Sequence, residues 1–192
     1  MLAQAGRKYY TVEEYFEFEL NSAERHEYID GDIIPMVGGT PNHNKIILNF
    51  AAALNFALKR KPFQVFIAEQ RLWIPGRRIY TYPDVMVVHG DLQFQDERKD
   101  TIINPVFIAE VLSKSTKAYD QNEKFKAYRT VSTFQEYLLI DQYTMQVEQY
   151  VKQEAQQWLF TEHVGAESVL QLSTVPFEIQ LADIYDKVEQ DA

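Results

Sequence analysis

The sequence predicts one mixed α/β domain over residues 1–192, with a hairpin extension near its N-terminus. Three observations point there. Apolar runs of strand length, such as Val106–Leu112 and Tyr137–Ile140, alternate with stretches of helical period. Asp30-Gly31 stands between two short apolar runs, a strong two-residue hairpin signal. Repeats, low-complexity tracts and linkers are absent from the 192 residues, a length that supports one domain with a proper core.

The elements follow in order. Thr11-Val12-Glu13-Glu14 reads as a capping box opening a short helix, Val12 to about Leu20. His26-Glu27-Tyr28-Ile29 and Asp32-Ile33-Ile34 are the hairpin arms. Gly38-Gly39-Thr40-Pro41 breaks the chain, and Thr40 or Asn42 caps a long helix to about Lys59. Its apolar face is Ile46, Ile47, Phe50, Ala51, Leu54, Ala57 and Leu58. Lys59, Arg60 and Lys61 then suit the negative end of the dipole and read as a solvated helix end. Val65–Ile74 and Ile79–Val88 read as strands around a Pro75-Gly76-Arg77-Arg78 turn. His89–Asn104 is polar, a surface loop or a short ragged helix. Val106–Leu112 is continuously apolar apart from Glu110, as in a strand covered on both faces. Asp120, with Glu123 three residues on, is expected to cap a helix running to about Arg129. Tyr137–Ile140 is a buried strand. Met145–Val151 and Trp158–Glu162 form an antiparallel pair, and Leu181–Val188 a closing helix.

Composition excludes several functions. Without cysteine there are no disulfides, thiolate metal sites or cysteine nucleophiles. A formal net charge of −9 argues against a broad nucleic-acid-coating surface. It leaves room for a nuclease with a local basic patch and a metal in its cleft. No apolar run is long enough to span a bilayer, and the start lacks the apolar stretch of a signal peptide, so the cytoplasm is the expected location. There is no P-loop, no dinucleotide fingerprint and no HExxH motif, and no nucleophile elbow surrounds Ser113 or Ser115.

Two isolated carboxylates, Asp84 and Glu110, each sit in strand-like apolar sequence. If their strands pair, both side chains stand near one end of one sheet and repel unless a cation lies between them. A hard divalent cation takes such oxygen ligands, and the Val111 carbonyl is a further candidate. The ordinary alternative is that Asp84 caps a turn and Glu110 pairs with a lysine. Lys124, on the following helix, either returns over the sheet to these acids or is a solvated helix lysine. His43, in the first turn of the long helix, is a candidate for touching a phosphate or a metal-bound water, or is incidental. Glu27 and Glu69 are candidates for a third carboxylate. Asp141 reads as a turn cap. Tyr143, Tyr150, Trp158 and Phe160 read as core or interface rather than as a platform for bases.

Taken in order, Pro83-Asp84, Glu110-Val111-Leu112-Ser113, Ser115-Thr116, Tyr119-Asp120, Glu123-Lys124, Tyr128, Glu136-Tyr137 and Asp141 resemble one family. It is the Uma-type (Uma-two) family, assigned as restriction endonucleases within the restriction-endonuclease-like PD-(D/E)XK superfamily. Glu27-Tyr28-Ile29-Asp30-Gly31 and His43 fit its opening pattern, and the resemblance covers about residues 24–165. It implies a central mixed sheet flanked by helices and a magnesium or manganese site held by Asp84 and Glu110. It also implies an endonuclease acting on DNA as a homodimer. The superfamily's lysine, two residues after the acid, is here Leu112, and Lys124 fits as its replacement from the next helix. The rival reading is a nuclease-fold protein that acts as a dimeric binding or structural module, which the acidic charge and Leu112 favour.

Overall fold

The computed structural model describes residues 8–36, 38–96 and 98–189. The chain opens with helix α1 (Val12–Asn21), hairpin β1 (His26–Ile29) and β2 (Asp32–Pro35), and helix α2 (Pro41–Ala57). Local chemistry sets these boundaries as the sequence predicts. The Thr11 hydroxyl accepts the Glu14 N–H, and the Glu14 carboxylate accepts the Thr11 N–H at 2.8 Å, a complete capping box. Thr40 accepts the His43 N–H at 3.1 Å, and Pro41 follows in the first helical position, where its missing donor costs nothing.

Next come β3 (Phe63–Ile67), β4 (Arg71–Ile74), β5 (Ile79–Thr81), β6 (Val85–His89), β7 (Thr101–Ile102) and β8 (Phe107–Leu112). The strands expected over Val65–Ile74 and Ile79–Val88 each divide in two. Gln70 N–H closes a tight turn onto Ile67 C=O at 3.2 Å, and Pro83 has no N–H to continue a ladder. The halves enter different sheets: β4 and β5 join a five-stranded sheet of order β2-β1-β5-β4-β7, while β3 and β6 join the central sheet. The expected hairpin is thus one edge of that second sheet. Among its described residues, the polar stretch from 89 to 104 forms no helix; it carries β7, which pairs in parallel with β4.

The rest of the chain comprises α3 (Lys117–Tyr119), a π turn (Asp120–Lys124), α4 (Phe125–Tyr128), β9 (Glu136–Asp141), β10 (Gln146–Glu154), β11 (Gln157–Val164), β12 (Val169–Gln171), β13 (Glu178–Gln180) and α5 (Leu181–Ile184). The helix therefore starts before Asp120, which lies inside the π turn rather than capping it. The closing helix is shorter than expected, ending at Ile184. The central sheet has the order β11-β10-β9-β8-β6-β3. Its β8–β9 pair is parallel and the others antiparallel, so the sheet is mixed. A parallel pair needs a crossover, and α3, the π turn and α4 supply it.

Strand alternation sorts β8 between two cores. Phe107, Ala109 and Val111 pack with Ile46, Phe50 and Leu54 of α2, and with α5. Ile108 and Leu112 pack on the other face with Ala127, Tyr128 and Tyr137. Burying a side chain such as Phe50 completely contributes about 2–3 kcal/mol. Glu110 shares the face of Ile108 and Leu112, so it points under the crossover. Among the described residues, no helix is long and apolar enough to cross a membrane.

Candidate active site

The β6–β8 ladder pairs Val85 with Ala109, so one step further Asp84 stands opposite Glu110. Each carboxylate is held by the other strand's backbone. Val111 N–H donates to Asp84 Oδ2 at 2.8 Å, and Asp84 N–H donates to Glu110 Oε2 at 3.3 Å. The crossover then lays Lys124 over Glu110. Its Nζ lies 3.1 Å from Glu110 Oε1, 3.3 Å from Asp120 Oδ1 and 3.7 Å from Glu27 Oε1. Tyr128 donates to the same Glu110 Oε1 at 2.6 Å, which leaves Oε2 turned toward Asp84. Asp120, Lys124 and Tyr128 recur every four residues on one face of a helix whose middle is a π turn, a distortion frequent at functional sites.

Two further elements close the site. Glu27 on β1 accepts the hydroxyl of Thr81 on β5. From α2, His43 Nε2 lies 3.2 Å from Asp84 Oδ2. The imidazole fits because residue 39 is glycine: a Cβ there would come within 2.7 Å of His43 Nδ1. The hydroxyl of Tyr119 is buried without a hydrogen-bond partner, and its ring centroid lies 5.7 Å from Lys124 Nζ.

Electrostatics follow from this crowding. Burial pushes the Glu110 carboxyl up to about 8; Lys124 and Tyr128 pull it down, while Asp84 and Asp120 add to the rise. Burial also raises Asp120. Burial works to lower Lys124, but Glu110, Glu27 and Asp120 outweigh it and hold the ammonium well above its ordinary value. The geometry presents the ammonium as a donor shared by these three carboxylates. Glu110, Glu27 and Asp120 surround this one ammonium, and Asp84 stands against Glu110. Ionised together, these carboxylates would call for another cation. All-oxygen donors on adjacent strands suit a hard divalent ion that keeps several waters, as magnesium does. Among the described residues, no three His, Asp or Glu side chains form a metal-binding group. Asp84, Glu110 and the main chain of β8 are the groups that could hold such an ion.

The structure brings together Asp84, Glu110, Val111, Lys124, Glu27 and His43. It does not bring Glu69. That side chain is 78% exposed and pairs with Arg25 at 3.2 Å; only the neighbouring backbone touches the site, through Ala68 N–H to Asp84 C=O at 3.2 Å. Asp141 accepts the N–H groups of Tyr143 and Thr144, a turn cap as read. Sequence reasoning gave no site role to Asp120, Tyr119, Tyr128 or Thr81. The four-residue spacing of Asp120, Lys124 and Tyr128 was the available signal for two of them. Cavity size is no guide here: a hollow of about 610 Å³ on the outer face of α1 contains none of these side chains.

A Pro-Asp strand end, an acid on the paired strand and a lysine over it, on a mixed sheet flanked by helices, make up a restriction-endonuclease-like fold. The chain belongs to the Uma2 family, described as "Putative restriction endonuclease", which it matches over residues 12–183. It is 40% identical over 173 residues to "Uncharacterized protein sll1609" of Synechocystis sp., covering 90% of this chain and 98% of that protein. A second Synechocystis relative, "Uncharacterized protein slr1290", is 31% identical over 175 residues, with 90% of each chain covered. A crystal structure described as "a putative nuclease belonging to DUF820", from Anabaena variabilis, superposes with a TM-score of 0.74 at 18% identity. That match covers 92% of this chain and 97% of the other and shows the shared fold.

Proposed function

We propose that the protein is a divalent-metal-dependent endonuclease, using magnesium or manganese, that hydrolyses phosphodiester bonds in DNA in the cytoplasm. The observation that carries this reading is the placement of Asp84 against Glu110 across β6–β8, with Lys124 3.1 Å from Glu110. Asp84, Glu110 and the Val111 carbonyl would hold the metal. Bound there, such an ion supplies a more acidic water and neutralises charge on the phosphate. The Val111 and Asp84 N–H groups and the Tyr128 hydroxyl fix the two carboxylates, so little reorganisation remains when substrate arrives. Lys124, held charged, donates to the attacking water or to a phosphate oxygen and does not take up the proton. His43 steadies Asp84, and Glu27 steadies Lys124. A homodimer would let two such sites cut two strands.

Cleavage of plasmid DNA with magnesium or manganese tests the reading, alongside Asp84→Ala. Loss of about two orders of magnitude or more in rate is expected, in the range of removing one electrostatic element of a site. Activity that survives the substitution sinks the assignment. One observation favours a second reading, a binding module on the same fold: buried Leu112 occupies the usual lysine position. Calorimetric titration that shows no saturable magnesium or manganese binding would support it.

A further inference from the structure

We propose that the groove between the β1–β2 turn and the Pro75–Arg78 turn seats a DNA backbone phosphate neighbouring the one cut, with Arg77 as its ligand. This rests on the nuclease reading above. The groove encloses about 420 Å³ and is lined by Ile29, Asp30, Arg77, Arg78, Tyr119 and Glu123, among others. It adjoins the carboxylates directly. Glu27 and Ile29 are two residues apart on one face of β1, about 7 Å along the strand. Glu27 reaches Lys124, and Ile29 walls the groove. Tyr119 belongs to both places: its ring lines the groove, while burial raises its hydroxyl, which lies in the field of Glu27, Glu110 and Asp120. A strand leaving the scissile position along β1 enters this groove within a nucleotide or two.

The charge bookkeeping of the groove singles out Arg77. Asp30 is paired with Arg78 at 3.2 Å, and Glu123 with Lys126 at 2.8 Å. Arg77 makes no ion pair within 4.0 Å among the described residues, although it helps to lower the Glu123 carboxyl, behind Lys126. In a chain of net charge −9, attraction for a polyanion must come from such local cations. A guanidinium also matches the oxygen geometry of a phosphate.

The groove rim is preorganised. Asp30 and Arg78 both hold left-handed backbone, at φ 42° and 54°, uncommon for residues other than glycine. They face each other across the rim, with Asp30 N–H donating to Arg78 C=O at 3.0 Å. Asp30 takes this conformation as the first residue of the Asp-Gly hairpin turn, and Arg78 as the cap of the Pro75–Arg77 turn, so local structure fixes both sides of the rim. The turn also lies hard on Thr130: a Cβ at Gly76 would meet Thr130 Oγ1 at 2.9 Å. Arg77 is therefore presented from a fixed support, which cuts the ordering cost of binding.

The test is binding of a short labelled DNA duplex in EDTA, followed by anisotropy over a range of salt, with plasmid cleavage of the same preparations in manganese. The variants are Arg77→Ala, Arg77→Lys and Lys59→Ala. Lys59 lies beyond the far end of α2 from His43, about 25 Å along the helix. Arg77→Ala is expected to weaken binding roughly three- to tenfold and to lower the salt slope by about one. Arg77→Lys should keep the slope, and Lys59→Ala should change nothing. Equal affinity and slope for Arg77→Ala and wild type, in a protein that still binds and cuts DNA, overturn the groove assignment and leave the nuclease reading intact. A wild type that neither binds nor cuts DNA overturns both.

Discussion

The raised Glu110 carboxyl makes metal binding a proton-releasing reaction, and the size of the effect can be worked out. With the group pushed up to about 8 in the metal-free site, about nine in ten molecules carry the proton at pH 7. A cation can be ligated only by the ionised form, so binding at pH 7 should release about 0.9 proton. Between pH 8.5 and 6.5 the ionised fraction falls from about three-quarters to about 3%, so apparent affinity should fall about 25-fold. Calorimetric titration with manganese, repeated in two buffers of different ionisation enthalpy, measures both quantities. Tyr128→Phe removes a hydrogen bond that lowers this carboxyl and should move the affinity curve toward higher pH. Affinity independent of pH over this range, with no proton release, would refute both the buried-acid argument and the assignment of Glu110 as ligand.

The same carboxyl sets the metal-free stability. Its folded value lies above its unfolded one, so the stability it confers is present below about 4.5 and lost as pH rises through about 8. Melting temperatures compared from pH 5 to 8 should show a smaller decline for Glu110→Gln than for wild type. Lys124→Met strands Glu27 and Asp120 without their shared cation and Glu110 without one of its donors, and should destabilise the metal-free protein by about 3–5 kcal/mol in urea titration. A loss below about 1 kcal/mol would mean that Glu27 and Asp120 are hydrated in the metal-free protein and do not depend on Lys124. Glu69→Ala removes only an exposed ion pair; stability should change by less than about 1 kcal/mol and DNA cleavage should persist. A dead Glu69→Ala variant would return that residue to the site.

What could be read from sequence was whatever local chemistry decides. The capping box of α1, the Thr40-Pro41 start of α2, the Asp30-Gly31 turn and the continuous apolar run of β8 each carry their own signal within a few residues. Sheet membership has no such signal. Glu69-Gln70-Arg71 and Pro83-Asp84 interrupt the apolar runs, but nothing in them says that the chain changes sheets at both places. Glu69 was a plausible ligand because an acid in strand-like sequence looks the same whether it faces a cleft or ends a tight turn. Asp120 misled in the opposite direction. An acid followed three residues later by Glu123 imitates a helix start, and only the crossover packed onto the sheet shows it inside the helix, facing Lys124.

The displaced lysine has a physical account in the same crossover. A residue two after Glu110 on a strand shares its face, and here that residue is Leu112, 2% exposed among Ala127, Tyr128 and Tyr137. A lysine there would put its stem into that core, whereas leucine gives α4 an apolar surface to pack on. Because β8 and β9 are parallel, the chain between them must cross back over the sheet, and it lies on the face where Glu110 points. The segment that the topology requires can therefore carry the ammonium. It also delivers Tyr128 to the same oxygen, at 2.6 Å beside the 3.1 Å contact of Lys124. A strand lysine brings one donor to the acid; the helix brings two donors on one face and a packed support for both. The constraint on this site is thus the position of a positive charge over Glu110 Oε1, which strand or helix can satisfy.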